Sequence, residues 1–351
     1  MLSRSSDSNE VMSTAQEERR LRRRRRIVDT DAGFDDVVAI QCLLAHGYSV
    51  DLATTVCGSN TASVTWQGMQ RLFPHLEIIA SPDRPRESLA WLTDFRRRFR
   101  DFVDRHGTTT TTIVTKTDST GDHDRRKDLS LKMPPSPPSS LDIIRRVGQF
   151  LQDSDDEGVD LICLGPLSNI ADWCQHYPDL MSAKVADIWI LGGAHPNTGR
   201  DDEFNFGQDA SAAAHVLDVL GHKVHLVPGD VTSHHMVSES YIASLVEQVH
   251  AESTDANLLA NVIKEEQQYS MFYDPVCAFL YLNREMAQFA RIPLQVCSQT
   301  SVTKMILEET SARPIIHIAQ QVDFEAYRSW LLHAIRQSEE ATHSDNSDTV
   351  K

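Results

Sequence analysis

The sequence predicts an α/β protein built on an open, mainly parallel, doubly wound sheet with helices on both faces. Two observations indicate this class. Short apolar runs alternate along the chain with segments whose apolar residues recur at helical spacing, and turn residues separate the two. This alternation is typical of βαβ units, which place helices over both faces of a parallel sheet.

The predicted elements follow one another along most of the chain. The predicted strands cover residues 27–30, 50–56, 76–80, 159–164, 186–191 and 223–227. The predicted helices cover residues 35–45, 61–72, 141–151, 168–176 and 211–220. Gly33 is free to take a left-handed conformation after the first strand, and Gly47 is a natural end for the first helix.

The remaining segments extend or interrupt one predicted domain at residues 26–337. Residues 1–25 and 338–351 are polar and are predicted to be disordered tails. Residues 108–140 are rich in Thr, Ser, Pro and charge, which predicts a mobile surface insertion. The run EERRLRRRRR at 17–26 is either part of the solvated tail or a segment for nuclear import or polyanion binding.

The composition narrows the class of protein. Hydrophobic residues make up 40% of the 351 residues, which is enough for a sizeable core. A formal net charge of −16 argues against general binding to nucleic acid or to anionic membranes. No membrane span or secretory signal is recognisable. The six cysteines lack C-x-x-C spacing, which favours reduced thiols in a cytoplasmic protein over disulfides or a zinc site.

The stretch DTDAGFDD places Asp29, Asp31, Asp35 and Asp36 within eight positions after an apolar strand. Two unit charges about 4 Å apart repel by roughly 4 kcal/mol in a partly buried setting. The dipole of the following helix offsets only about 0.3–1 kcal/mol for each carboxylate. Clustered oxygen ligands bind hard divalent cations, so this spacing predicts a metal site more readily than a set of helix caps.

Other predicted strand ends carry similar polar or turn-forming groups. The segment GPLSN follows the strand at 159–164, and Gly192-Gly193 with a long polar stretch follows the strand at 186–191. Near the end, Asp274 precedes Pro275 at the start of an apolar helix. In a doubly wound sheet these loops meet outside the carboxyl ends of the strands, where ligands bind.

Five of these segments together resemble the inosine-uridine-type nucleoside hydrolase family. DTDAGFDD resembles the family signature D-T-D-P-G-x-D-D, and LGPLSN at 164–169 resembles L-G-P-L-T-N. LGG…EFN…DASAA, VPGDVT and DPVCA resemble the later blocks of the family in the same order. The resemblance covers roughly residues 27 to 280 and implies an open α/β sheet with the site at its carboxyl edge.

The resemblance also implies a reaction, Ca²⁺-dependent hydrolysis of the N-glycosidic bond of ribonucleosides, in a homodimer or homotetramer. It implies one role for each matching residue. The calcium ligands would be the carboxylates of Asp31, Asp36 and Asp274 with the backbone carbonyl of Leu164, and Asp35 would be the general base that activates the metal-bound water. Sugar contacts would come from Glu203 and Asn205, with Asn197 a further candidate, and Asp29 would orient its neighbours.

The sequence departs from the family pattern at several positions. The family's G-N after the second strand reads CGSN here, so either Ser59 or Asn60 is the sugar contact, with Asn60 preferred. Tyr273 replaces the histidine that helps to protonate the leaving base, and it can donate a proton or stack on a base. Ala32 replaces a proline, which is expected to be harmless, and the family's H-G-x-x-G segment has no clear counterpart.

Two other functions fit parts of the same pattern. A Mg²⁺-dependent phosphohydrolase of the haloacid-dehalogenase type also begins with an apolar strand and D-x-D, although DAGFDDVVAI continues differently from that class. Alternatively, the substitutions at Ser59 and Tyr273 indicate a family member that binds a nucleoside or a partner without turnover. His195, His234 and His235 are further candidates for an acid.

Overall fold

Nine strands of the described chain form one sheet. The computed structural model describes residues 14–84, 89–108, 139–198, 203–232, 238–254, 256–266, 272–297, 304–307 and 314–347. The strands are β1 (Arg25–Thr30), β2 (Leu52–Thr55), β3 (Ile78–Ala80), β4 (Val159–Cys163), β5 (Val185–Leu191), β6 (Val224–Val227), β7 (Ala287–Cys297), β8 (Lys304–Leu307) and β9 (Ile315–Val322). The helices are α1 (Thr14–Arg23), α2 (Phe34–Ala45), α3 (Ala62–Leu72), α4 (Ala90–His106), α5 (Ser140–Gln152), α6 (Ser168–His176), α7 (Pro178–Lys184), α8 (Phe204–Gln208), α9 (Ala210–Leu220), α10 (Gly229–Thr232), α11 (Glu239–Ala251), α12 (Leu258–Glu266), α13 (Asp274–Leu282) and α14 (Phe324–Ser347).

The strand order is β3-β2-β1-β4-β5-β6-β9-β7-β8. Strand β1 pairs in parallel with β2 and with β4, so the chain winds outwards from β1 in both directions. The pairs β4–β5, β5–β6 and β6–β9 are also parallel, whereas β7 is antiparallel to both β8 and β9. The predicted doubly wound, mainly parallel sheet is confirmed, and the order reverses between β1 and β4, where a ligand crevice forms.

Helices cover both faces of this sheet. Ile27 and Val28, successive residues of β1, belong to two different buried clusters because side chains alternate along a strand. One cluster includes residues of α2, α4 and α11–α14, and the other includes residues of α5, α6, α7 and α9. Helix α2 is buried on nearly all sides, as its apolar sequence predicts.

The predicted strands and helices are confirmed within two residues at each end, and the helix predicted at 168–176 matches α6. The antiparallel edge formed by β7–β9 was not predicted. Strand β7 mixes partly buried and exposed residues and contains Pro293, so its apolar alternation is weak. The predicted insertion at 108–140 cannot be followed, since residues 109–138 lie outside the described part of the chain.

The turn between β1 and α2 differs from the sequence prediction. Gly33 has an ordinary φ of −61°, and Ala32 is the left-handed residue, with φ 51°. Gly33 is required for space, because a Cβ atom there would lie 2.4 Å from Asp35 Oδ1. Ala32 is also fixed by its N–H, which donates to Thr30 Oγ1 at 3.0 Å.

The described residues extend into both of the predicted tails. Helix α1 spans Thr14–Arg23, Arg25 opens strand β1, and α14 continues to Ser347. The arginine run folds because buried acids pair with it: Arg24 Nη1 lies 2.8 Å from Asp160 Oδ1 and also contacts Asp187. The run is therefore partly structural rather than a free patch.

Two further expectations can be compared with the described residues. All six cysteines are free thiols, five of them buried and Cys297 partly exposed. Among the helices that the structure describes, none is long and apolar enough to cross a membrane.

We expect Arg24→Met to lower the free energy of unfolding by about 3–5 kcal/mol, because it leaves the buried Asp160 carboxylate without its cation. Burial raises the pKa of Asp160 to about 6 even with Arg24 beside it. Removing the cation raises this pKa further, so the loss of stability should be larger at about pH 7.5 than at about pH 5.5. Urea denaturation at both pH values measures it.

The matched control is Arg22→Met, since Arg22 forms an exposed pair with Glu18 one helical turn away. Its loss should leave stability nearly unchanged. Equal losses in the two variants would show that the buried pair has no special role.

Ala32→Pro, which restores the residue of the family signature, should destabilise this chain by more than about 1 kcal/mol. Proline fixes φ near −65°, which is incompatible with φ 51°, and it removes the N–H that donates to Thr30. Ala32→Gly is the control, because glycine accepts a positive φ and should be almost neutral. Thermal unfolding decides between them, and a proline variant as stable as the unaltered chain would refute the prediction.

Candidate active site

A cavity of about 670 Å³ opens beside the loops that follow β1 and β4. Its size lies within the range of small-molecule sites. Carboxylates from the β1–α2 turn and from the start of α13 line one part of it, and aromatic side chains of α4, α8 and the residue before α13 line another. The cavity therefore joins a strongly acidic region to an apolar one.

The turn after β1 fixes two of the carboxylates by short contacts. Asp36 accepts hydrogen bonds from the hydroxyl of Thr30 at 2.5 Å and from the N–H of Gly33 at 2.7 Å. Asp31 Oδ2 accepts from the N–H of Ser59 at 2.8 Å. Gly58 is needed beside it, because a Cβ atom there would lie 1.9 Å from Asp31 Oδ2.

Helix α13 brings Asp274 to the same place from the far end of the chain. Ligand atoms of Asp35, Asp36 and Asp274 lie within 4.8 Å of one another. Asp36 and Asp274 share a hydrogen bond, yet Asp274 Oδ1 is buried without a partner. Leaving a buried carboxylate oxygen unpaired is costly, so the geometry leaves room for one more positively charged or donating group.

The pKa values of the aspartates also indicate that the cluster can accept a positively charged group. Burial raises the pKa of Asp31 to about 6. Burial, together with the charges of neighbouring aspartates, raises the pKa values of Asp36 and Asp274 well above their ordinary range. In the absence of a cation, burial and neighbouring negative charge therefore favour the protonated forms of Asp36 and Asp274.

Asp29 supports the cluster from the strand below. It is buried outside the cavity lining, and its Oδ1 accepts from Thr54 Oγ1 at 2.6 Å and from Asn169 Nδ2 at 2.7 Å. Burial raises its pKa to about 7, against the effect of these two donors. Asp29 therefore ties the end of β1 to its neighbours β2 and α6.

The carbonyl of Leu164 is presented to the cavity by Asn205. The Nδ2 atom of Asn205 donates to the carbonyl oxygens of Leu164 and Leu191, at 3.1 Å each. A carbonyl oxygen has two lone pairs, so that of Leu164 retains one for a metal. The two predicted residues are therefore brought together, although Leu164 follows β4 and Asn205 lies in α8.

Glu203 lines the cavity and caps helix α8. Its carboxylate accepts from the N–H groups of Asn205 and Phe206 at 2.8 Å each and of Gly193 at 2.7 Å. Burial raises its pKa to about 7 against these three donors. These hydrogen bonds hold the Glu203 carboxylate at the cavity surface, where it can accept a hydrogen bond from a hydroxyl group of a ligand.

The structure separates the two alternative sugar contacts. Ser59 lines the cavity, whereas Asn60 is fully buried and its Nδ2 donates to the carbonyl of Ala32 at 2.9 Å. Asn60, the preferred candidate from the sequence, is therefore not brought into the cavity. The backbone of Asn197 lies in the turn Pro196–Thr198, but its side chain falls outside the described part of the chain.

Of the three histidine candidates, only His195 lies in the described part of the chain. His195 donates its backbone N–H to Asp230 Oδ1 at 2.8 Å, and it is absent from the described lining. His234 and His235 lie outside the described residues.

The sequence analysis predicted Tyr273 but missed the other aromatic residues that form a wall of the cavity with it. Tyr273 lines the cavity, and so do Trp91 and Phe95 of α4 and Phe204 of α8. Trp91 is half exposed and contacts Phe95 and Phe204, with ring centroids 5.9 Å and 5.5 Å apart. The available signal was apolar residues at positions i and i+4 of WLTDFRRRF, but nothing local connects that helix to the aspartates.

The donor set fits a hard cation. It consists of carboxylate and carbonyl oxygens without a thiol or an imidazole among the described lining residues, which is the set that Ca²⁺ or Mg²⁺ takes. The unpartnered Oδ1 of Asp274 and the raised pKa values are the features that a bound cation would remove.

Comparison with known proteins identifies a family for the chain. A family model described as inosine-uridine preferring nucleoside hydrolase matches residues 26–329. The non-specific ribonucleoside hydrolase RihC of Salmonella schwarzengrund (strain CVM19633) is 26% identical over 319 residues, which cover 87% of this chain and 95% of that protein.

Solved structures show the same fold. The inosine-uridine preferring nucleoside hydrolase from Bacillus anthracis matches with a TM-score of 0.68 at 15% identity, and the plant nucleoside hydrolase PpNRh1 with 0.64 at 19%. Each match covers 90% of this chain and 99% of the other. Fold, site and family model agree that the chain belongs to the inosine-uridine preferring nucleoside hydrolase family and is a hydrolase of N-glycosyl bonds.

Proposed function

We propose that this chain hydrolyses the N-glycosidic bond of ribonucleosides in a Ca²⁺-dependent reaction that releases the free base and ribose. The observation that carries the proposal is the meeting of Asp35, Asp36 and Asp274 within 4.8 Å in a cavity that also has an aromatic wall. A sugar fits the acidic region, and a flat base fits the aromatic one.

The carboxylates of Asp31, Asp36 and Asp274 would hold the cation, together with the carbonyl of Leu164. When bound, Ca²⁺ supplies a fixed positive charge that orients a water molecule and two ribose hydroxyls. The support for this assignment is the unpartnered Oδ1 of Asp274 and the exclusively oxygen character of these donors.

Asp35 is proposed as the general base. It opens α2 beside Asp36 and is less buried than that residue, so it is the more accessible carboxylate of the pair. It takes a proton from the water as the water attacks C1′ of the sugar. Asp29, which braces the end of β1, is proposed to keep the β1–α2 turn in place during this step.

Glu203 and Asn205 are proposed to bind ribose hydroxyls, with Asn197 as a further contact from its neighbouring turn. The fixed carboxylate of Glu203 is ready to accept a hydrogen bond without reorganising. The sugar becomes an oxocarbenium-like cation as the bond breaks, and the surrounding carboxylates stabilise that charge.

Tyr273 is proposed to contact the leaving base in place of a histidine. It lies directly before Asp274 and lines the cavity with the aromatic residues of α4 and α8. Its hydroxyl can donate a hydrogen bond to a ring nitrogen, and its ring can stack on the base. Base preference follows from this wall rather than from the acidic region.

Release of free ribose from a panel of purine and pyrimidine ribonucleosides, with and without saturating Ca²⁺, tests the proposal. Ca²⁺-dependent release from at least one nucleoside is the expected result. Binding of a nucleoside without any release would instead establish a family member that binds without turnover. The resemblance to the family extends the proposal to a homodimer or homotetramer, which analytical ultracentrifugation would measure.

We expect Asp35→Asn to lower kcat by about 10²–10⁴-fold, because the amide cannot take a proton from water. If Asp35 is the base and not a main ligand, the affinity for Ca²⁺ should change little, as calcium titration of the metal-free protein would show. If Asp35→Asn lowered the affinity for Ca²⁺ as strongly as it lowered kcat, Asp35 would instead be one of the ligands.

The control for this substitution is Asp101→Asn, which makes the same chemical change on an exposed face of α4. It should retain normal kcat and normal calcium affinity. Both variants should unfold at nearly the temperature of the unaltered chain, so that the kinetic difference cannot be attributed to folding.

Stabilisation by Ca²⁺ should increase as the pH rises. Without the cation, the folded-state pKa of Asp31 is about 6, above its ordinary value. The contribution of Asp31 to the free energy of unfolding is therefore greatest below about pH 4 and is lost as the pH rises through about 6. Asp36 and Asp274 shift in the same direction. Calcium competes with these protons, so its Kd should tighten by about tenfold per pH unit for each proton released.

Thermal unfolding at about pH 5.5 and about pH 8, with and without Ca²⁺, measures this effect. The rise in melting temperature should be clearly larger at the higher pH. Asp274→Asn should reduce the rise at both pH values, and a rise independent of pH would contradict the assignment of these carboxylates as ligands.

A further inference from the structure

The charges around the cavity are very unequal. Among the described lining residues seven carry carboxyl groups, and Arg98 alone carries a guanidinium or ammonium group. We propose that Arg98 is a catalytic residue that stabilises the negative charge of the leaving base, an inference that rests on the proposed function. Nothing in the acidic region can perform this task.

Arg98 lies on the wall where the base is proposed to bind. Trp91, Asp94, Phe95 and Arg98 all line the cavity and have the spacing i, i+3, i+4 and i+7 of one helical face. The carboxylate of Asp94 lies 2.7 Å from the guanidinium of Arg97 on the same helix, so its negative charge is partly neutralised there. Arg98 therefore lies on the same helical face as Trp91 and Phe95, one turn after Phe95.

Contacts with Glu265 help to orient the guanidinium of Arg98. Its Nη2 donates to the carbonyl of Glu265 at 2.7 Å, and its Nε lies 3.8 Å from Glu265 Oε1. The carboxylate of Glu265 is also bound by Arg105, at 2.8 Å. Glu265 therefore holds Arg98 in place and is itself shared with a second arginine.

Phe34 links this charge to the proposed base catalyst. The guanidinium carbon of Arg98 lies 5.6 Å from the centre of the Phe34 ring, and Phe34 directly precedes Asp35. The ring of Phe34 is held edge-on by Phe95, Phe99 and Phe102, with centroids 5.4, 5.8 and 5.6 Å away. One aromatic cluster therefore contacts the guanidinium and also contains the residue that directly precedes the proposed general base.

The chemistry requires such a charge. Water oxygen bonds to C1′, its proton passes to Asp35, and the bond from C1′ to the base nitrogen breaks. The electron pair of that bond goes to the base, which leaves as an anion unless a proton reaches it at the same moment. Arg98 keeps its own proton, because the pKa of a guanidinium is far above neutrality, and it stabilises the anion until the hydroxyl of Tyr273 or solvent protonates it.

The test compares two substrates that differ in their leaving group. Inosine releases a poorly stabilised anion, whereas 4-nitrophenyl β-D-ribofuranoside releases a nitrophenolate that is stable by itself. Arg98→Met should lower kcat/KM for inosine by about 100-fold and that for the nitrophenyl riboside by much less. Arg98→Lys, which keeps a positive charge, should recover part of the loss on inosine.

Arg105→Met is the matched control, because it breaks the other contact of Glu265 at an exposed site outside the described cavity lining. It should leave the ratio of the two kcat/KM values unchanged. Arg98→Gln, which retains a donor for the Glu265 carbonyl, serves if the methionine variant fails to fold, and it should show the same selective loss.

Equal losses on both substrates in the Arg98 variants would overturn the inference and show a purely structural role. Failure of the unaltered chain to cleave either substrate, with Ca²⁺ present, would instead refute the proposed function itself. The two failures are therefore distinguishable within one experiment.

Discussion

Repulsion among buried carboxylates is the constraint on which the rest of the site depends. Asp31, Asp36 and Asp274 are each at most 2% exposed, and burial raises the pKa of all three. Repulsion by neighbouring aspartates raises the pKa values of Asp36 and Asp274 further. A fold that only had to be stable would not retain three such groups in contact, because protonation or a cation is needed to hold them. The acidic region is therefore best explained as a site that is completed by a positively charged partner.

The sheet supplies the rigidity that this arrangement requires. The cluster lies where the strand order reverses between β1 and β4, so the loops of two adjacent parallel strands face each other without a helix between them. Thr30, Gly33 and Ser59 direct donors at the carboxylates, and Asp29 braces the strand below. The left-handed Ala32 shows that the β1–α2 turn is held by these contacts rather than by the intrinsic preference of its residues.

The sequence predicted what is local and missed what depends on distant packing. Apolar periodicity predicts the strands and helices around β1, and the close spacing of the aspartates in the β1–α2 turn predicts a metal site there. Asp274 could be connected to them only through resemblance to a family, because more than two hundred residues separate it from the turn. Asn60 and Ser59 differ by one position, and only the folded loop decides which faces the cavity. The burial of Arg24 could not be predicted from the sequence either, because its partners Asp160 and Asp187 lie on other strands, far away along the chain.

The two kinds of charge that line the cavity complement the two charges of the proposed transition state. A neutral nucleoside separates into a sugar that gains positive charge and a base that gains negative charge, so uniform acidity would assist only half of the reaction. The carboxylates lie where the sugar is proposed to bind, and Arg98 lies among the aromatic residues where the base is proposed to bind. Because neither charge exists in the bound substrate, such an arrangement stabilises the transition state more than the ground state. In that arrangement the guanidinium of α4 does by electrostatics what a protonated histidine at the position of Tyr273 would do by proton transfer.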